Sequence, residues 1–198
     1  MIKLGEIDMI LKVSNQLVDY LEKNNVLTEQ KEIYIFGARL VISNIIGTII
    51  LFLTGLITGY FMEAIMYEVI MSSSRNILGG YHCHTYFKCI AVYISLYICL
   101  LIGINVYWFN LIEIIILSIL FLIIVLIYCP VENKKKQISQ LKRERFKKYS
   151  CIYVVTYISI MFCLYILNSK YIQIMIYILI IINLLIIGGK IDYEKTKE

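Results

Sequence analysis

The sequence predicts an all-α protein: a polytopic membrane bundle of about six transmembrane helices with an N-terminal amphipathic helix. Of its 198 residues, 60% are apolar and 17% are charged, whereas soluble domains average about 45–50% and about 25%. Apolar runs recur along the chain, and six spans of about 20 residues each would take up most of it. We therefore expect a single integral membrane domain over residues 1–198, without a separate soluble domain.

Residues 1–32 form the predicted amphipathic segment. Charged residues are scattered through it, and Ile7, Leu11 and Leu21 are among its apolar residues at helical spacing. The segment lacks a short apolar core followed by a small-residue cleavage site, so it does not have the pattern of a signal peptide. Two placements stay open for this helix: on the cytoplasmic membrane surface, or packed against the other helices.

Residues 41–129 hold the first four predicted spans, and residues 151–189 hold the last two. Five apolar runs are plain in the sequence, at 41–60, 90–108, 111–129, 151–167 and 171–187. The sixth run, 61–73, is short and contains Glu63 and Glu68. It is therefore either a poor span that lines the protein interior or a re-entrant segment.

Basic residues are concentrated in the segment 131–149, which we expect to be a cytoplasmic loop. It has eight Lys or Arg residues against two Glu, in a chain of formal net charge +5. Such a loop is typical of the cytoplasmic side of a membrane protein, and its charge attracts anionic lipid headgroups. We expect the lipid bilayer, and not nucleic acid, as its partner. Six spans then place both the N-terminus and the tail 190–198 in the cytoplasm.

The residues best suited to chemistry lie in the segment 75–89. They are Arg75, Gly79, Gly80, His82, Cys83, His84 and Cys89. A thiol beside an imidazole is the simplest nucleophile and base pair, because the imidazole takes the thiol proton and stabilises the thiolate. The sequence offers such a pair in His82 and Cys89.

The spacing of that pair predicts a break in the helix. A continuous helix would separate His82 and Cys89 by roughly 10 Å along its axis, whereas proton transfer needs heavy atoms within about 3 Å. We therefore predict that helix regularity fails between Gly79 and Thr85, where the two glycines allow a turn that brings His82 back. We also predict that Cys89 lies in the first two turns of the next span.

Three other interpretations of this segment stay open on residue types alone. Its Tyr, His and Lys side chains are common anchors at a membrane interface. Its two histidines and two cysteines suit zinc as ligand types, but neighbouring residues cannot all point at one ion, and no CxxC pair is present. We expect no metal and no cofactor. The third interpretation is that a cysteine of the segment only packs, as cysteines commonly do in membrane helices. Packing is also the interpretation of Cys99, Cys129, Cys151 and Cys163.

The order and spacing of the segment resemble the AgrB family of quorum-sensing propeptide processors. The resemblance rests on Gly79-Gly80-Tyr81-His82, with Cys89 seven residues after the histidine and Arg75 seven residues before it. The amphipathic N-terminal segment, the spans and the basic loop extend the resemblance over nearly the whole chain.

The resemblance implies a cysteine endopeptidase of the bacterial cell membrane, with Cys89 and His82 as its catalytic pair. The predicted topology places this pair near the cytoplasmic face. Cys89 would cut an AgrD-like propeptide before its C-terminal tail and hold the remainder as a thioester. An internal Cys or Ser of the propeptide would then displace Cys89 and close a thiolactone or lactone ring. The resemblance also fits a homodimer.

Supporting roles in the site are expected for Arg75, Gly79, Gly80 and His84. Arg75 matches an arginine of the family and would bind a substrate carboxylate or shape the site. This chain has Cys83 where the family usually has alanine, so the assignment of Cys89 over Cys83 as nucleophile rests on spacing. Candidates for a third member of the catalytic group are Glu63, Glu68 and Thr85.

A non-catalytic polytopic membrane protein, such as a small transporter or an assembly partner, is the alternative function. A transporter would have polar residues along the middles of several spans. Here the middles of most spans are almost purely Ile, Leu, Val and Tyr. A different intramembrane hydrolase is also disfavoured, because HExxH and GxSxG motifs are missing from the sequence.

Overall fold

The structure is a computed structural model that describes residues 2–24, 30–81, 83, 85–129, 131 and 140–195. Within these ranges the chain is helical, with no β-strand. The helices are α1 (Ile2–Lys23), α2 (Lys31–Thr58), α3 (Phe61–Ile77), α4 (Tyr86–Val106), α5 (Leu111–Tyr128), α6 (Gln140–Ile166) and α7 (Tyr171–Lys195). The predicted all-α membrane bundle is confirmed.

Five of the helices are long and apolar enough to cross a membrane, namely α2, α4, α5, α6 and α7. Helix α3 is not among these five. It has 17 residues and covers the run predicted as a poor span or a re-entrant segment. It is unbroken, and its length of about 26 Å is close to the roughly 30 Å of a bilayer core. Its buried residues include Glu63 and Tyr67. These observations favour a short span that lines the protein interior.

Helix α7 is the centre of the bundle. It packs against α3, α4, α5 and α6. In its most apolar stretch 67% of the residues are buried, against 22–28% in the four other spanning helices. The surrounding helices expose large apolar side chains such as Ile57 and Ile112. A continuous apolar exterior of this kind suits lipid as the solvent.

Tight contacts join consecutive helices at the turns. Gly59 ends α2 with a φ of +78°, and a Cβ on Gly55 would lie 2.7 Å from the Cβ of Ala64, so α3 folds closely onto α2. In the turn after α4, the buried Gln173 side chain of α7 accepts from the Phe109 N–H at 2.9 Å and donates to the Phe109 carbonyl at 3.1 Å. These contacts hold α3 against α2 and the end of α4 against α7.

The N-terminal amphipathic helix lies against the bundle. Helix α1 packs on α2 and buries Ser14 and Val18, which favours the packed placement for this amphipathic helix. Lys31 at the start of α2 donates to Asp19 and Glu22 of α1 at 2.7 and 2.6 Å.

Helix α6 begins at Gln140, so the second part of the segment predicted as a basic loop is helical.

Candidate active site

The predicted break in the helix is confirmed. Helix α3 ends at Ile77 and α4 begins at Tyr86, and between them Gly79 and Gly80 have φ angles of +76° and +138°. This left-handed region is one that glycine enters without the steric cost that a side chain brings. Cys89 lies in the first turn of α4, as predicted.

On one side, the double-glycine loop is pinned to the chain that follows α5. The Val131 N–H donates to the Leu78 carbonyl at 3.1 Å. A Cβ on Gly79 would lie 2.6 Å from the Val131 carbonyl oxygen, closer than a real Cβ contact permits. Gly79 is therefore required both by its backbone angle and by this close approach.

On the other side, the loop rests on the second half of α7. The Tyr81 N–H donates to the Leu185 carbonyl at 2.9 Å, and a Cβ on Gly189 would lie 2.7 Å from the backbone of Gly80 and Tyr81. Sequence analysis missed this contribution of Gly189. The available signal is a second Gly-Gly pair, Gly188 and Gly189, at the end of the last apolar run.

Arg75 and Cys89 meet across this loop. The Arg75 Nη1 donates to the Cys89 Sγ at 3.8 Å, joining the last turn of α3 to the first turn of α4. Both side chains are partly buried. The structure thus places a cation against a thiol at a helix N-terminus.

Cys83 is the second thiol of the site. It lies in the loop and contacts Tyr81 and Cys89. Burial raises the pKa of the Cys83 thiol, and the Cys89 thiol beside it raises that pKa further, while Arg75 and Lys88 act in the opposite direction. Because the net direction is upward, Cys83 is less ready to form a thiolate than an exposed cysteine.

His82 and His84 lie outside the residues that the structure describes, so the pairing of His82 with Cys89 stays a prediction, as does the supporting role of His84. Among the described residues, no group of three or more His, Cys, Asp or Glu side chains is placed to hold a metal ion.

A chain of polar contacts runs from Arg75 into the bundle. The Arg75 guanidinium carbon lies 5.5 Å from the centroid of the Tyr93 ring. The Tyr93 hydroxyl donates to Glu68 Oε2 at 2.6 Å, and the Thr48 hydroxyl donates to Glu68 Oε1 at 3.0 Å. Four side chains from α2, α3 and α4 are therefore linked to Cys89.

The three candidates for a third member of the site separate in the structure. Glu68 belongs to the polar chain that reaches Arg75, whereas Glu63 is buried near the start of α3 beside Tyr97. Thr85 occupies the N-cap position of α4, where its side chain makes no capping hydrogen bond. Sequence analysis missed Tyr93, although its spacing of four residues from Cys89 places it on the same face of α4.

The fold and this motif agree with a family match. The model of the AgrB family, accessory gene regulator B, matches residues 14–187. The chain belongs to the AgrB family. A curated protein of Clostridium beijerinckii named "Putative AgrB-like protein" is 27% identical to it over 185 residues, which cover 92% of each chain. No solved structure matches the chain.

Membership in the AgrB family assigns this chain to an accessory gene regulator system, and so to quorum sensing. With its five apolar spanning helices, this AgrB protein is a multi-pass protein of a bacterial membrane. The matched range includes Arg75, Cys89, Glu68 and Tyr93, so the whole polar chain described above lies within the family region.

Proposed function

We propose that this AgrB protein is a membrane cysteine endopeptidase that removes the C-terminal tail of an AgrD-like propeptide and promotes cyclisation of the remainder. The contact between Arg75 and Cys89 carries the proposal. A guanidinium beside a sulfur, at the start of a helix, stabilises the negative charge of a thiolate. The thiolate is the nucleophilic form of cysteine, so the contact suits Cys89 for attack on a carbonyl.

The proposed reaction has two acyl transfers. The Cys89 thiolate attacks the peptide carbonyl before the tail, the C–N bond breaks, and the tail leaves as an amine with a proton supplied by His82. An internal Cys or Ser of the propeptide then attacks the thioester, and Cys89 leaves as a thiolate. The exchange of a thioester for a thiolactone is roughly balanced in bond energy, so the ring closes without ATP, provided that water is kept away.

The surroundings of the two thiols support Cys89 rather than Cys83 as the nucleophile. Arg75 donates directly to the Cys89 sulfur. The pKa of Cys83 is raised by burial and by its neighbour. The two thiols are therefore close in space, and the direct contact with Arg75 is made by Cys89.

We also propose that the site faces the cytoplasm, which a set of contacts at one end of the bundle supports. Ile77, at the end of α3, accepts from the Ser150 hydroxyl of α6 at 3.4 Å. The exposed Arg143, Lys147 and Lys148 precede Ser150 on the same helix. Basic residues flank spans on the cytoplasmic side, so a propeptide made in the cytoplasm meets the site without crossing the membrane.

Matched cysteine variants test the function. Cys89→Ala should abolish release of the tail from a co-expressed AgrD-like propeptide, with the protein still present in the membrane, because no other group forms the acyl intermediate. Cys83→Ala is the matched control and should release the tail at a near-normal rate. Tail release by Cys89→Ala, or complete loss in Cys83→Ala alone, would contradict the assignment.

A further inference from the structure

We propose that Tyr93 is a positioning residue of this site. Its hydroxyl is hydrogen-bonded to Glu68, and its ring holds the Arg75 guanidinium beside the Cys89 sulfur. The inference deepens the proposed function, because it rests on Cys89 as the nucleophile. It assigns to Tyr93 and Glu68 a role that acts through Arg75.

The Tyr93 ring is placed to support the guanidinium. Arg75 Cζ lies 5.5 Å from the ring centroid, within the range in which a cation is attracted to an aromatic face. The ring itself is clamped by Tyr67, whose ring centroid lies 5.0 Å away and whose hydroxyl donates to the Tyr93 carbonyl at 3.1 Å. A ring held in this way offers Arg75 one fixed face.

Glu68 fixes the other end of the Tyr93 side chain. Its Oε2 accepts from the Tyr93 hydroxyl at 2.6 Å, and its Oε1 accepts from the Thr48 hydroxyl at 3.0 Å. Both carboxylate oxygens thus have partners on α4 and α2.

The same arrangement keeps Glu68 from competing for Arg75. The two residues are seven apart on α3, so they lie on one face about two turns from each other. A carboxylate without its hydroxyl partner would attract the guanidinium back along α3. Since the Tyr93 hydroxyl occupies Glu68 and its ring supports Arg75, the guanidinium extends towards Cys89 instead.

The reactivity of the Cys89 thiol tests this inference without the propeptide. The full chain in membrane vesicles is treated with iodoacetamide at neutral pH, and modification of Cys89 is followed by mass spectrometry. Arg75→Gln should slow the reaction about tenfold, which corresponds to the loss of about 1.4 kcal/mol of thiolate stabilisation. Tyr93→Phe should slow it about threefold, in the same direction.

Tyr97→Phe is the matched control. Tyr97 lies one turn further along α4 and packs on the same Tyr67 ring at 5.4 Å, but its hydroxyl donates to the Tyr60 carbonyl at 2.9 Å. The Tyr97→Phe variant should therefore alkylate at the rate of the unmodified protein. Equal slowing by Tyr93→Phe and Tyr97→Phe would overturn the inference, since both would then be structural effects.

Two further variants separate positioning through Arg75 from other causes. In the Arg75→Gln background, Tyr93→Phe should slow alkylation no further. Glu68→Gln retains an acceptor for the Tyr93 hydroxyl and should keep the rate. Glu68→Leu releases that hydroxyl, so the ring that supports Arg75 is no longer held and alkylation should slow. Because the competing carboxylate is also gone, alkylation should slow less than in Tyr93→Phe, and this variant provides the test if Tyr93→Phe does not accumulate. An additive effect in the Arg75→Gln background, or no effect of Tyr93→Phe, would overturn the inference.

The alkylation assay and the processing assay can fail separately. If Cys89→Ala still processed the propeptide, the endopeptidase assignment would fail while the alkylation rates stood. If Cys89→Ala were inactive and Tyr93→Phe alkylated normally, the positioning role would fail and the endopeptidase assignment would stand.

Discussion

At the scale of single residues, Gly79 combines two constraints that usually occur apart. Its φ of +76° disfavours any side chain, and a Cβ there would lie 2.6 Å from the Val131 carbonyl oxygen. A side chain at this position would have to displace backbone, which cannot bend away as the end of a flexible side chain does. The path of the loop before Cys89 thus depends on the absence of one methyl group.

Gly79→Ala should therefore reduce tail release by about tenfold or more. A side chain at this positive φ costs about 1–2 kcal/mol, and its Cβ would also clash with the Val131 carbonyl oxygen. The protein should still insert in the membrane. Gly59→Ala is a matched control, because Gly59 has a similar φ of +78° but open space around it. It should lower stability by about 1 kcal/mol and leave tail release per inserted molecule unchanged. Equal loss of activity in both variants would show that backbone strain alone matters.

Residue patterns predicted part of the site. Two adjacent glycines and the spacing of His82 and Cys89 predict the break between α3 and α4, because local backbone chemistry sets it. Tyr93 was not predictable as a partner of Arg75. Its contact depends on how α4 packs against α3, which the spacing along either helix does not specify.

At the scale of helices, α7 supports the double-glycine loop through its backbone. The Leu185 carbonyl accepts from the loop, and Gly189 lets the loop pass within van der Waals distance of the helix. The neighbouring Gly188 differs, since a Cβ there would lie 3.8 Å from the Tyr81 Cβ, an ordinary contact. Two adjacent glycines of one helix therefore have unequal roles.

We expect Gly189→Ala to impair tail release and Gly188→Ala to leave it near normal. Both changes favour the helix by about 1 kcal/mol, so helix propensity cancels in the comparison. The measurement is tail release divided by the amount of each variant in the membrane. Similar activity of the two variants would contradict the close approach of α7 to the loop.

Hydropathy predicts the helices better than it predicts their limits. The five plain apolar runs became α2, α4, α5, α6 and α7, because burial in lipid requires an apolar surface and an internally bonded backbone. Helix α6 begins at Gln140, earlier than its apolar run, since Lys, Arg and Glu favour helix and their charges stay exposed. Hydropathy alone does not predict this polar first part of α6.

At the scale of the whole molecule, the bundle gathers the site and the basic residues at one end. The ends of α3, α5 and α7 and the starts of α4 and α6 meet there through the contacts of Ile77, Leu78 and Tyr81. The turn at Asn110 lies at the start of α5, where Asn110 and Glu113 form a capping box. In the proposed topology, the site therefore opens on the side of these basic residues, which is the cytoplasm.

A topology map checks this arrangement. Reporter fusions within 140–148 should be active as cytoplasmic markers, and a fusion at Asn110 should be active as an external marker. Fusions at Glu32 and Lys190 should both lie inside, because six crossings separate them. Opposite locations of Glu32 and Lys190 would mean that α3 does not cross the membrane.

The acyl-enzyme itself tests the central claim most directly. A propeptide whose internal Cys or Ser is replaced by Ala can be cleaved but cannot close its ring, so its thioester should accumulate on the enzyme. Intact-mass analysis should then show the protein plus the propeptide without its tail, located on Cys89, released by hydroxylamine and missing from Cys89→Ala. Release of the tail with no adduct on Cys89, or with the adduct on Cys83, would contradict the account.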